Sequence, residues 1–219
     1  MLMCMVTLYV LTSICTYAYN VGCILYILLL EGVNCLLSEK TKSFIEKLAS
    51  DFQSEISVNS PNLYDVESIV DFVNSMGCQI EFNQDYNRFF INNNIPTIYL
   101  KNDLRDENLT ISEYVSNLRV FFHEVWHFIS KSININCDDL VLDGDDFALD
   151  SLSPNEASAN YFSRAMIFPE VYFIQCVIRN TLSNGMCNIF EVAKFFNSTY
   201  TDVIARGNDL NLWNTKGGI

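Results

Sequence analysis

The chain has only two histidines, and they stand four residues apart, as His123 and His127, with Glu124 beside the first. On an α-helix, residues four apart lie one above the other on the same face, so both imidazoles can reach a common point. Zinc takes imidazole nitrogen at about 2.0–2.1 Å, and a carboxylate placed as Glu124 is reaches a water at the ion. The chemistry this pattern supports is hydrolysis. The metal lowers the pKa of water to about 7 and polarises a carbonyl, and Glu124 takes the proton and passes it to the leaving amine.

An open zinc site of this kind takes a third protein ligand, normally a carboxylate from a later helix. Glu156 is the candidate, in the stretch Ser153-Pro-Asn-Glu-Ala-Ser-Ala-Asn160, where Pro154 suits a first helical position and Glu156 and Asn160 share a face. Ser153 and Glu156 also match a capping box, in which Glu156 would bond a backbone amide instead. The rival carboxylates are Asp138, Asp139, Asp143, Asp145, Asp146 and Asp150, a run that reads as a solvated loop and does not fit an EF-hand.

Positioning these groups requires a well-defined helix, and Thr110-Ile-Ser-Glu113 has the form of a capping box that starts one. Leu118, Phe122, Val125 and Ile129 then make an apolar stripe on a face other than that of the histidines. Upstream, Phe44, Ile45, Leu48 and Phe52 predict a helix from Ser38 to about Gln53, closed by a polar break with Pro61. Val66, Ile69, Val70, Phe72 and Val73 predict a second helix from Asp65 that stops at Gly77. Cys78–Phe82, Arg88–Ile91 and Thr97–Leu100 predict three short strands, separated by Asn92–Asn94 and Pro96. There is no internal repeat, so sheet and helices are expected to share one core from residue 38 to 219.

Composition narrows the partners. A net charge of -13 and no Lys/Arg cluster exclude a phosphate-backbone binder. The eight cysteines form no CxxC pair and lie in apolar stretches, which reads as free thiols in a reducing compartment. Residues 1–30 carry no charge, and the stretch 3–30 is long enough for a span of about 20 apolar residues. Residues 1–37 are thus expected to be a membrane anchor, with a core hairpin or translated sequence ahead of the true start as alternatives. Lys40, Lys42 and Lys47 follow with nothing basic before them, which would place the remainder in the cytoplasm.

Three separated pieces resemble the ImmA/IrrE-type metallopeptidases of bacteria and their mobile elements. These are Phe122-His-Glu-Val-Trp-His-Phe-Ile129, the run from Glu156 to Pro169, and Val192–Arg206 followed by Leu210 and Leu212, which is similar to that family's small helix-turn-helix-like tail. The resemblance covers about residues 60–213 and implies an α+β, minimal zincin-like fold. It implies His123, His127 and Glu156 as ligands of one zinc ion and Glu124 as base, with a helix-turn-helix repressor as the protein cleaved. The chain departs from the family in its apolar N-terminus and in bulky Trp126, which would narrow the site. The tail (about 188–213) carries only Lys194 and Arg206 as cations from Val192 to Leu212, so no DNA contact is expected from it. The alternative function is a binding module that holds a repressor or antitoxin without cleaving it.

Overall fold

The computed structural model describes residues 37–56, 58–60, 63–133 and 153–213. The apolar segment 1–36 and the aspartate-rich run 138–150 lie outside the described residues, and with them the anchor expectation and the rival ligands. Among the described residues no helix is long and apolar enough to cross a membrane.

Helix α1 (Glu39–Glu55) begins at Ser38, whose hydroxyl accepts from the Thr41 amide at 3.1 Å. A cap of this kind is worth about 1 kcal/mol. Its inner face is Ile45, Ala49 and Phe52. A two-strand ribbon, β1 (Val58–Ser60) and β2 (Leu63–Tyr64), then leads to α2 (Val66–Ser75), capped by Asp65 through the Ser68 amide. Gly77, just past that helix, has φ +90, a conformation that lets the chain reverse into the sheet without a Cβ clash.

Strands β3 (Gln79–Glu81), β4 (Arg88–Asn92) and β5 (Ile95–Tyr99) form a mixed sheet in the order β3-β5-β4. The pair β3–β5 is parallel and β4–β5 antiparallel. Asn93 and Asn94 join β4 to β5 with φ 49 and 66, the two positive values that a twisted two-residue hairpin turn demands. The expected separator Pro96 lies inside β5, opposite Ile91. A proline fits there because that pair is one of the rungs that exchange no backbone hydrogen bonds, as the site geometry below shows.

Helix α3 (Ile111–Ser132) opens with the reciprocal capping box expected: the Glu113 amide donates to Thr110 Oγ1 at 3.2 Å, and the Thr110 amide to Glu113 Oε2 at 2.9 Å. Val115, Leu118, Phe121, Phe122, Val125 and Trp126 are all buried along it. Its main partner is α4 (Pro154–Ile167), whose Ala159, Phe162 and Met166 are inaccessible to solvent. Three more helices complete the body: α5 (Glu170–Arg179), α6 (Ile189–Phe195) and α7 (Tyr200–Asp209). The fold is therefore α+β, with seven described helices around a small three-stranded mixed sheet.

Two Arg–carboxylate pairs tie the C-terminal helices to the rest. Arg206 is fully buried and holds Glu46 of α1 through two bonds, at 2.5 and 2.9 Å, while its Nε donates to the Phe168 carbonyl. Arg164 of α4 makes the same forked contact with Asp209, at 2.6 and 2.9 Å. Paired forks of this kind satisfy guanidinium donors that burial would otherwise orphan. Arg206, one of the few cations of the tail, is thus spent inside the protein.

Candidate metal centre

The site lies where α3, α4 and β4 meet. The long apolar side of α3 is buried against α1, α4 and the sheet, which turns the His123/His127 face toward α4 and an open cleft. That cleft has a volume of about 510 Å³.

His123 Nε2 and His127 Nε2 stand 3.1 Å apart. Glu156 divides its two oxygens between them, with Oε2 at 3.2 Å from His123 Nε2 and Oε1 at 3.3 Å from His127 Nε2. One ligand atom from each of the three residues lies within 4.8 Å of the others, so the cluster could hold a metal ion. The capping alternative for Glu156 is half realised: Ser153 Oγ accepts from the Glu156 amide at 3.3 Å, while the Glu156 carboxylate is turned to the histidines.

Each imidazole is held from behind by an asparagine of α4. His123 Nδ1 lies 3.2 Å from Asn160 Oδ1, an acceptor, which places the ring proton on Nδ1 and leaves Nε2 a bare lone pair. His127 Nδ1 lies 3.1 Å from Asn155 Nδ2. Asn155 has its oxygen committed elsewhere, because the indole of Trp126 has only a proton to give and lies 3.2 Å from Oδ1. His127 Nδ1 is therefore the acceptor, and its proton sits on Nε2, among His123 Nε2 and the Glu156 carboxylate. Burial, with the neighbouring His123 second, pushes the His127 pKa below the usual imidazole value and keeps the ring neutral.

Glu124 is 8% exposed and points to the sheet side of the cleft. The amide of Phe89 donates to its Oε2 at 2.7 Å. Burial raises the Glu124 pKa, and this amide opposes the rise in part. The bond also reveals how β4 is turned. Since Phe89 aims its N–H away from β5, Ile91, two residues on, does the same, and its rung partner Pro96 has no N–H to offer. The outer edge of β4 therefore meets the cleft at Phe89, whose amide is taken by Glu124 and whose carbonyl faces the same way.

Trp126 does not narrow this cleft. It is fully buried against Phe162, with ring centroids 5.6 Å apart, and touches the site through its bond to Asn155. Asn155, the Phe89 amide, Arg88 and Lys131 belong to the site without having been expected there. Lys131 carried a readable signal, since it continues the spacing of His123 and His127 by one more turn. A backbone amide carries none.

No family model matches the chain, and no curated protein matches it.

Proposed function

We propose that the protein is a zinc-dependent endopeptidase of zincin-like fold that cleaves a protein partner, a helix-turn-helix repressor being the target that its resemblance to the ImmA/IrrE-type peptidases suggests. The observation that carries this reading is the His123/His127/Glu156 cluster with Glu124 beside it. Ligands bound tetrahedrally at about 2.0–2.1 Å are separated by about 3.3–3.4 Å, close to the 3.1, 3.2 and 3.3 Å found between these donors, and the change that binding requires is a switch of the His127 proton from Nε2 to Nδ1. Imidazole and carboxylate donors also suit zinc chemically.

His123 Nε2, His127 Nε2 and Glu156 would hold the ion. When bound, zinc supplies the Lewis acidity that polarises a peptide carbonyl and acidifies water. Glu124 takes the proton of the attacking water and delivers it to the leaving nitrogen, and burial suits it to both roles by making it a stronger base than an exposed carboxylate. The Phe89 amide holds that carboxylate in place, and Asn160 fixes the tautomer of His123. With that amide taken, the outward Phe89 carbonyl is the main-chain group that the β4 edge offers an extended peptide next to Glu124. A purely structural metal site would need no carboxylate in Glu124's position, which favours catalysis over a binding module. The sequence of residues 3–30 leads us to place the enzyme at a membrane with this body in the cytoplasm.

The test is to look beside the gene for an encoded helix-turn-helix protein, mix any such protein with the zinc-loaded chain and identify products by mass spectrometry. Cleavage at a defined bond, absent with Glu124→Gln, is expected. A complex of the two proteins without cleavage would replace the peptidase by the binding module.

A further inference from the structure

We propose that Arg88 and Lys131 make this cleft selective for an extended peptide segment that carries aspartate or glutamate beside the bond presented to Glu124. The inference rests on the peptidase reading of the same site and adds the substrate class.

The chain has 26 acidic residues against 13 Lys and Arg, yet two of those cations, Arg88 and Lys131, line the cleft. The acidic groups that line it are Glu124 and Glu156, and a divalent ion on the histidine cluster balances their charge. Arg88 and Lys131 are then left in excess. Both are exposed, and neither forms an ion pair with any other described residue. Lys47, Arg105 and Arg119 are exposed but paired with Asp51, Asp103 and Asp202, while Lys40, Lys101, Arg179 and Lys194 are exposed without an ion pair among the described residues, so it is their place in the cleft that sets Arg88 and Lys131 apart.

Position also argues for selectivity. Lys131 stands four residues after His127 on the same face of α3, about 6 Å further along the helix axis. Arg88 precedes Phe89, whose amide holds Glu124, and its guanidinium rests on the Phe90 ring at 4.5 Å from the centroid. Stacking limits the freedom of that head group, so less entropy is lost when it meets a carboxylate. A peptide on the outer edge of β4 comes alongside Phe89, next to Arg88 in the chain, and Lys131 lies beyond the histidines. Because charges separated by more than about 8 Å are screened at physiological salt, these two local cations outweigh the distant negative surface for a peptide inside the cleft. Outside the cleft, the same surface repels acidic chains and leaves few competing sites.

The test uses the full chain, loaded with zinc and carrying Glu124→Gln so that bound peptides survive. It is immobilised and exposed to a degenerate library of end-capped octapeptides, and the retained pool is sequenced. Enrichment of Asp and Glu by roughly 2–5-fold at one or two fixed positions is expected, as for partly solvated ion pairs. It should vanish in Arg88→Gln/Lys131→Gln, whose folding is checked by circular dichroism and whose zinc content serves as the control for the site. No retained peptide, a pool without acidic enrichment, or an enrichment unchanged by the double substitution would overturn the proposal. The unmutated chain is run on the same pool in parallel. Acidic peptides retained but never cut would remove the peptidase reading while leaving the charge preference standing.

Discussion

The amide of Phe89 and the carboxylate of Glu124 are joined by a 2.7 Å hydrogen bond across the cleft between β4 and α3. A strand edge thereby positions the proposed base, through a backbone donor that no substitution at residue 89 other than proline removes. Gln at 124 keeps an acceptor for this amide, whereas Ala leaves it without one. Glu124→Gln should therefore fold as the unmutated chain does and hold metal, with turnover down by about 10²–10⁴-fold. Glu124→Ala should in addition lose about 1–3 kcal/mol of stability in urea unfolding. Equal stability of the two variants would show that the bond does not matter to the fold.

Asn160 orients His123 from the second helix of the site. Removing such a partner typically weakens metal binding by about 10–100-fold. Asn160→Ala should do so, measured by competition with a chromophoric chelator, and Asn160→Asp should restore binding because a carboxylate accepts the same proton. Unchanged affinity in the alanine variant would reduce Asn160 to a packing residue.

Asn155 makes the opposite demand on His127. Its amide nitrogen faces Nδ1 while its oxygen is held by Trp126, so metal binding through Nε2 requires the proton to move to Nδ1 and the amide to turn over. Asn155→Asp removes that conflict, since a carboxylate accepts from the indole and from Nδ1–H together. It should raise zinc affinity several-fold, on the scale of one charge-assisted hydrogen bond. Weaker binding in the same chelator competition would contradict this tautomer assignment.

How far these contacts could be read in advance depended on what carried each one. The metal helix was legible because each of its signals is local: the Thr110/Glu113 box, the apolar stripe, and two histidines a turn apart. Glu156 and Asn160 were legible as a pair on one face, but only the packing of α4 on α3 turns Glu156 away from its cap and toward the histidines. Phe89 offers a backbone amide, which looks the same at every position in a sequence. Pro96 looked like a break because its missing donor matters only if the rung needs one, and register decides that. The pairs Arg206–Glu46 and Arg164–Asp209 span 160 and 45 residues, so no periodicity announces them. The β1–β2 ribbon was unforeseen because its strands are only three and two residues long, whereas α5 carried a legible signal in Phe173, Cys176 and Val177 at helical spacing.

The Arg206–Glu46 pair should respond asymmetrically to substitution. Glu46→Ala leaves a fully buried guanidinium with one partner gone and should cost about 3–5 kcal/mol. Arg206→Met leaves Glu46, whose side chain is 17% exposed and can recruit water, and should cost less. The joint change Glu46→Leu/Arg206→Met should recover most of the loss, because an apolar pair needs no desolvated charge. Denaturant midpoints of the three variants decide the matter, and additive losses would contradict it.

The most direct measurement is the zinc content of the full chain, purified without chelators, by elemental analysis of the unmutated protein and of His123→Ala, Glu156→Ala and Glu124→Gln. About one zinc per chain is expected, kept in Glu124→Gln and lost or weakened in the other two. A well-folded unmutated chain without zinc, or one whose zinc survives both ligand substitutions, would contradict the metal centre and the peptidase built on it.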